Sequence, residues 1–334
     1  MQVDRFERAA PLRRRVGTDV SGAPMIEILV TALPIYLLIL IGYAAVRTGY
    51  FAPALIGALS QFALKVALIA LIFGAVALPR GEGGLNAAFL GAYLGGSVAT
   101  MLVGFGFSRL VLRQPAADSW ILSLGMSNSN SGYLGFPIAS LFFGADAAVV
   151  FAMTIIVENA FTLPFPVVAA SASGHRGNLA GLMRQAGRRI ATNPLIIAVT
   201  LALMVRLSGL PIGAPIARTV SLLAAAASPV ALFVVGGTVA TMSVSGHWRR
   251  TAAVTIGKLG LHPLMVAAAL MLVPGVPPAL IPVGILFAAV PMITIYPILA
   301  APFGLAAVSS TALLVSTSVS LVTVSLVLSR LIGL

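Results

Sequence analysis

The sequence predicts an all-α integral membrane protein of about ten transmembrane helices, arranged as two inverted five-helix repeats with broken fourth and ninth helices. Three observations predict it. The 334 residues are 59% hydrophobic and only 8% charged, with a mean hydropathy of +1.07, and a water-soluble fold needs far more polar surface. Apolar runs long enough to cross ~30 Å of hydrocarbon at ~1.5 Å per residue recur along nearly the whole chain. Two of these runs are interrupted at places 160 residues apart, by N-S-N-S-G-Y-L-G-F-P at 128–137 and by a proline-flanked stretch at 290–297.

In order, the first span (25–46) begins directly at Met25, and the second (54–78) carries Lys65. A third run (86–112) is unbroken. The fourth (117–143) holds the first interruption: Asn128 and Asn130 offer amides, Ser129 and Ser131 offer hydroxyls, Gly132 and Gly135 let backbone approach a ligand, and Pro137 frees a carbonyl one turn upstream. Span five (146–171) carries Glu158, and spans six and seven cover 190–208 and 216–242. The eighth (251–273) places Lys258 and His262 four apart on one helix face. The ninth (280–302) is interrupted around Pro291, Thr294, Tyr296 and Pro297, and the tenth covers 305–330.

Unwound backbone survives at membrane depth only inside protein or against a cavity. Paired breaks in two halves of a chain therefore point to a substrate site between the halves, and to a transporter. A shift of 160 residues aligns Pro34 with Pro194, Thr48-Gly49 with Ser208-Gly209, Phe73 with Phe233, and Phe136-Pro137-Ile138 with Tyr296-Pro297-Ile298. One register over more than a hundred residues reads as a duplication. With five spans in each copy, the second half (190–334) enters the membrane opposite to the first (25–171). Half-helix N-termini would then direct positive dipole ends at an anion.

The net charge is +12. With such hydropathy it reads as topology and lipid-headgroup contact, not as nucleic-acid binding. Of 20 basic residues two are lysines, leaving 18 arginines. Arg47, Arg109, Arg113, Arg176, Arg184, Arg188, Arg189, Arg249 and Arg250 fall on one side of the spans, and Arg80, Arg206, Arg218 and Arg330 on the other. The first side is expected to be cytoplasmic, including the basic connection at 172–189. The arginine-rich residues 1–24 contradict that count. They lack the apolar core of a signal peptide, and they are expected to be a disordered extension or a mis-assigned start. The arginine and alanine bias suggests a bacterial genome, hence an inner (plasma) membrane.

The chain contains no cysteine, which excludes a disulfide framework and a thiolate metal site. It has no H-E-x-x-H, G-x-S-x-G or Walker-type loop, so neither enzyme, cofactor nor metal is expected. Lys65, Glu158, Lys258 and His262 are ionisable groups inside spans, and each needs a partner or a wet cavity. His262 should be neutral when Lys258 is charged. A Glu158–lysine pair leaves one surplus positive charge, which suits a carboxylate substrate. Glu158 or His262 could titrate during a transport cycle.

Six segments carry a family resemblance: P-I-Y-L-L-I-L-I-G-Y-A-A-V-R-T-G-Y-F from Pro34, N-S-G-Y-L-G-F-P-I-A from Asn130, N-P-L-I-I-A from Asn193, P-V-A-L-F-V-V-G-G-T-V-A from Pro229, K-L-G-L-H-P-L from Lys258, and S-T-S-V-S-L-V-T-V-S-L from Ser316. With these, residues 25–334 resemble the auxin efflux carrier family, which includes plant PIN-type carriers and bacterial carriers such as those for malonate. The resemblance implies a secondary active carrier of small organic anions, working by an elevator-like motion. Helices one, two, six and seven would form a scaffold through which the protein dimerises. It carries the crossover onto Asn130, Gly132, Gly135 and Pro137, the ninth-helix proline onto Pro291, and the eighth-helix lysine onto Lys258. Ile69 stands where members often have proline, and the second break lacks the asparagine some relatives place after its proline, so an aromatic acid is not implied. Protons or sodium could supply the coupling ion. Two other readings share the architecture: a membrane ligand sensor that moves nothing, and a sodium-coupled symporter of the bile-acid type.

Overall fold

The computed structural model describes residues 25–78, 85–174, 179–242 and 247–331, and every regular element among them is helical. The tail at 1–24, Arg80 and Arg176 lie outside the described residues. α1 (Met25–Arg47) leads to α2 (Pro53–Phe62) and α3 (Leu68–Ala77), which a π turn at Ala63–Ala67 joins into one segment. α4 (Ala87–Leu110) is followed by α5 (Ala116–Ser127), a π turn at Ser131–Gly135 and α6 (Phe136–Phe143). α7 (Ala145–Val157) and α8 (Pro164–Gly174) are joined through a π turn at Glu158–Thr162. α9 (Leu179–Ala191) and α10 (Pro194–Ser208) come next, then α11 (Ala214–Ala225) and α12 (Ala227–Ala240). α13 (Trp248–Ile256) and α14 (His262–Leu272) flank a π turn at Gly257–Leu261, and α15 (Leu280–Ala289), α16 (Tyr296–Ala300) and α17 (Ala306–Leu331) complete the chain.

Local chemistry sets the ends. Prolines occupy the first turns of α2, α10 and α11, where no N–H donor is missed. Asn86 caps α4 by accepting from the Phe89 N–H at 2.7 Å, and Asn193 caps α10 by accepting from the Leu195 N–H at 2.9 Å. Gly209, with φ of 65°, ends α10 in the left-handed conformation.

Among the described residues, seven segments are long and apolar enough to cross a membrane, and an eighth is obtained if the pair α9–α10, bent by 55°, counts as one span. The expected fourth and ninth spans are absent from that count because neither is an unbroken helix. α5 ends at Ser127 and α15 at Ala289, and helix resumes only at Ser131 and Tyr296. Large apolar side chains such as Val30, Leu40, Leu201, Met204, Leu272 and Val322 face outward, as they do when the surrounding medium is lipid.

Helix α1 packs along α12 and α3 along α10, while α4 lies between α5 and α14. The α1–α12 contact is made by glycine on both sides. Gly42 lies against the Phe233 backbone, and Gly236 against the Ile39 carbonyl, the small-residue approach that stands in for hydrophobic driving force within a bilayer. Gly236→Ala is expected to force these helices apart and to cost about 1–3 kcal/mol, read as a lower unfolding temperature in detergent. Gly57→Ala, whose added carbon meets open space, should leave that temperature unchanged.

Candidate functional site

The first break is three non-helical residues, Asn128 to Asn130, between α5 and the following π turn. Its polar side chains divide into two groups. Asn128 is fully buried and spent on bracing: its Nδ2 donates to the Thr162 carbonyl at 2.8 Å, and its Oδ1 accepts from the Thr162 hydroxyl at 3.0 Å. Asn130 turns instead to the second break. Its backbone N–H donates to the Pro291 carbonyl at 2.8 Å, and its Nδ2 donates to the Thr294 hydroxyl at 2.8 Å. The Asn130 carbonyl accepts from the N–H groups of Leu134 and Gly135, both at 3.0 Å, which restarts the helix.

The two broken segments thus meet at Asn130, Pro291 and Thr294. Gly132 and Thr294 are half-buried there, while Asn130 retains slight exposure. A side chain at Gly132 would press on Leu68 of α3, and one at Gly135 on the Phe287 ring of α15. Pro137 lies buried in the first turn of α6. The resumed helix after the first break runs from 131 to 143, whereas α16 has five residues. Peptide dipoles add along a helix, so the first break presents the stronger positive end. Tyr296 lies elsewhere: it is fully buried with its ring against Gly125 of α5, and its hydroxyl has no partner among the described residues.

Behind the breaks is a buried polar network. Lys258, 0% exposed, donates to the Ser129 hydroxyl at 3.0 Å, to the Ala288 carbonyl at 2.5 Å and to His262 Nδ1 at 2.9 Å. With all three ammonium protons donated, Nδ1 must accept, which puts the imidazole proton on Nε2, 3.0 Å from the Ser97 hydroxyl. Glu158 accepts from the Ser131 hydroxyl at 2.5 Å. Base and acid therefore hold two neighbouring serines of one break. The Tyr93 hydroxyl is buried with no partner among the described residues, its ring edge-on to His262 at 6.3 Å. Lys65 is not part of this assembly. It is exposed on the π turn after α2 and donates to Gln61 Oε1 at 3.3 Å.

A cavity of about 580 Å³ opens between α3, α10 and α11–α12 on one side and α6–α7 on the other. Asp146, Arg206, Ser140 and Ser221 line it, and it reaches Phe136, the first residue of α6. Asn130 and Thr294 are not among its walls. Asp146 carries no signal in the sequence beyond an acid at a helix start, and Arg206 reads there only as a topology marker. Also illegible are Ser97 and Thr162, since serine and threonine recur in many spans. Among the described residues no group of histidine and acidic side chains could hold a metal ion.

Removing one member of a buried charged network strands the rest. Lys258→Met is expected to destabilise the protein by about 3–5 kcal/mol, measured by thermal unfolding in detergent. Glu158 and Lys258 act on each other electrostatically. Adding Glu158→Gln should therefore recover part of the loss, and strictly additive losses in the double-mutant cycle would show the two sites to be independent.

A protein-family model described as "Membrane transport protein" matches residues 27–328. A curated relative from Rhizobium meliloti (strain 1021), carrying the name "Putative malonate transporter", is 28% identical over 304 residues, covering 90% of this chain and 95% of its own length. Multiple apolar helices make the chain a multi-pass membrane protein, and it is a transporter, not an enzyme. The chain belongs to the membrane transport protein family, the auxin efflux carriers.

Proposed function

We propose that the protein is a secondary active carrier of small organic anions, with its substrate site where the two broken helices meet. The observation that carries this reading is the pair of hydrogen bonds from Asn130 to Pro291 and Thr294, at 2.8 Å each. At this point Gly132 and Thr294 stay partly accessible, and the first N–H groups of the helix resuming at Ser131 have no intrahelical acceptor. Donors of this kind, a positive dipole end and the amide of Asn130 suit a carboxylate. Malonate, in the relative's name, is a short dicarboxylate of that class.

The ten-span, inverted-repeat architecture is part of the proposal, with halves at 25–171 and 190–334 and the basic connection at 172–189 between them. Reciprocal packing supports it: α1 lies on α12 as α10 lies on α3. Shifting Gly42 by 160 gives Ala202, and shifting Gly236 back by 160 gives Val76. Those two residues share a buried cluster in the second contact. The π turn at Ala63–Ala67 corresponds in the same way to the helix junction at Ala226. The cavity at Arg206 and Asp146 lies between the proposed scaffold and the moving unit, so it serves as one access route in an elevator-like cycle. Glu158, bound to the break through Ser131, is the residue we assign to proton coupling. A second copy against the face bearing Lys65 and Gln61 would account for an exposed cation in the middle of a span. The basic side of the spans is taken as cytoplasmic, in a bacterial inner membrane.

The test is substrate-induced current from proteoliposomes on a solid-supported membrane, screening short dicarboxylates and aromatic monocarboxylates with and without proton or sodium gradients. Asn130→Ala is expected to abolish the signal while the protein remains folded, and undiminished current would remove the site from the breaks. Arg206→Gln should raise the half-saturating concentration about tenfold by removing the charge that draws an anion into the access route, with little change in maximal current.

A further inference from the structure

The connection between the two halves contains an amphipathic helix. In α9, L-A-G-L-M-R-Q-A-G-R-R-I-A, Leu182, Met183, Ala186 and Ile190 recur at three- and four-residue intervals along one side. Arg184, Gln185 and Arg188 occupy the other side, with Arg189 at the boundary. Leu182, Ala186 and Ile190 are half-buried against the protein, but Met183 is 58% exposed. The helix follows a membrane-crossing segment and meets α10 at 55°, so it departs from the direction of the spans.

By chain order, the end of α4 and the starts of α5 and α13 lie at this same end of the spans. A cavity of about 340 Å³ opens there, lined by Leu112, Gln114, His247, Trp248, Arg249 and Arg250, with Trp248 56% exposed. Exposed methionine and tryptophan beside arginines have the composition of a surface that sits at the boundary of hydrocarbon and headgroup.

We propose that α9, together with the Trp248 cavity, is a docking surface for anionic phospholipid. The helix lies in the plane of the membrane boundary, with Met183 among acyl chains and Arg184, Arg188 and Arg189 on acidic phosphates. The occupant is the bilayer because α9 comes between a membrane-crossing segment and the apolar α10, and its charge is uniformly positive. Lipid docking of this kind is independent of which anion is carried.

The chain has no cysteine, so Met183→Cys and Arg188→Cys in the full-length protein each accept a single spin label. In vesicles containing phosphatidylglycerol as a third of the lipid, the label at 183 is expected to be relaxed by oxygen and shielded from a water-soluble nickel complex, and the label at 188 the reverse. Without phosphatidylglycerol the label at 183 should shift toward water. Arg184→Gln and Arg189→Gln should shift it the same way, by about fivefold in the docked-to-free ratio per arginine. Labels aqueous at both positions would overturn the proposal. So would a label at 183 shielded from both reagents, which would mean a protein occupant, or one indifferent to phosphatidylglycerol.

Discussion

A bilayer core offers no hydrogen-bond partner, and the whole arrangement depends on how two interrupted helices meet that constraint. Proline can accept but not donate, and the Pro291 carbonyl takes the N–H of Asn130. Each interruption supplies part of the hydrogen-bonding environment of the other, so neither would be satisfied alone. The surrounding helices follow. α8 and its π turn are held by Asn128 through Thr162, α14 by Lys258 through Ser129, and α15 by the same lysine through Ala288.

Three ionisable groups within the spans share a second feature. Lys65, Glu158 and Lys258 each fall inside a π turn, at Ala63–Ala67, Glu158–Thr162 and Gly257–Leu261. Such a turn widens the helix and frees a carbonyl for another donor. The Thr162 carbonyl, taken by Asn128, is free because Pro166 has no N–H to give it. Local backbone geometry and the placement of charge are coupled here, which is why the polar network can be fully enclosed without stranding its main donors.

Much of the architecture is legible in the chain itself. Polar residues from Asn128 to Ser131 stand out inside an apolar run, and Pro291 and Pro297 mark the second interruption. Which of these residues turns toward the other break is not legible. Asn128 and Asn130 differ only in what lies across from them, Thr162 in one case and Thr294 in the other, and both partners are remote in sequence. Lys65 and Lys258 likewise have apolar flanks in the sequence, yet one is exposed beside Gln61 and the other is enclosed by three acceptors. Tyr296 reads as a polar group near the second interruption, but its ring fills the space that Gly125 leaves on α5. The π turns have no periodic signature, because whether a helix adds one residue to a turn is decided by the packing around it.

The three acceptors of Lys258 have a consequence for how the sequence can drift. One belongs to the first interruption, one to the end of α15 and one to its own helix. A chain that replaced this lysine with a shorter or neutral residue would leave a hydroxyl, a carbonyl and an imidazole nitrogen to be satisfied at once. Altering Ser129 or His262 alongside it would relieve one of the side-chain partners but not the Ala288 carbonyl. Positions on separate helices are thereby linked energetically through one side chain.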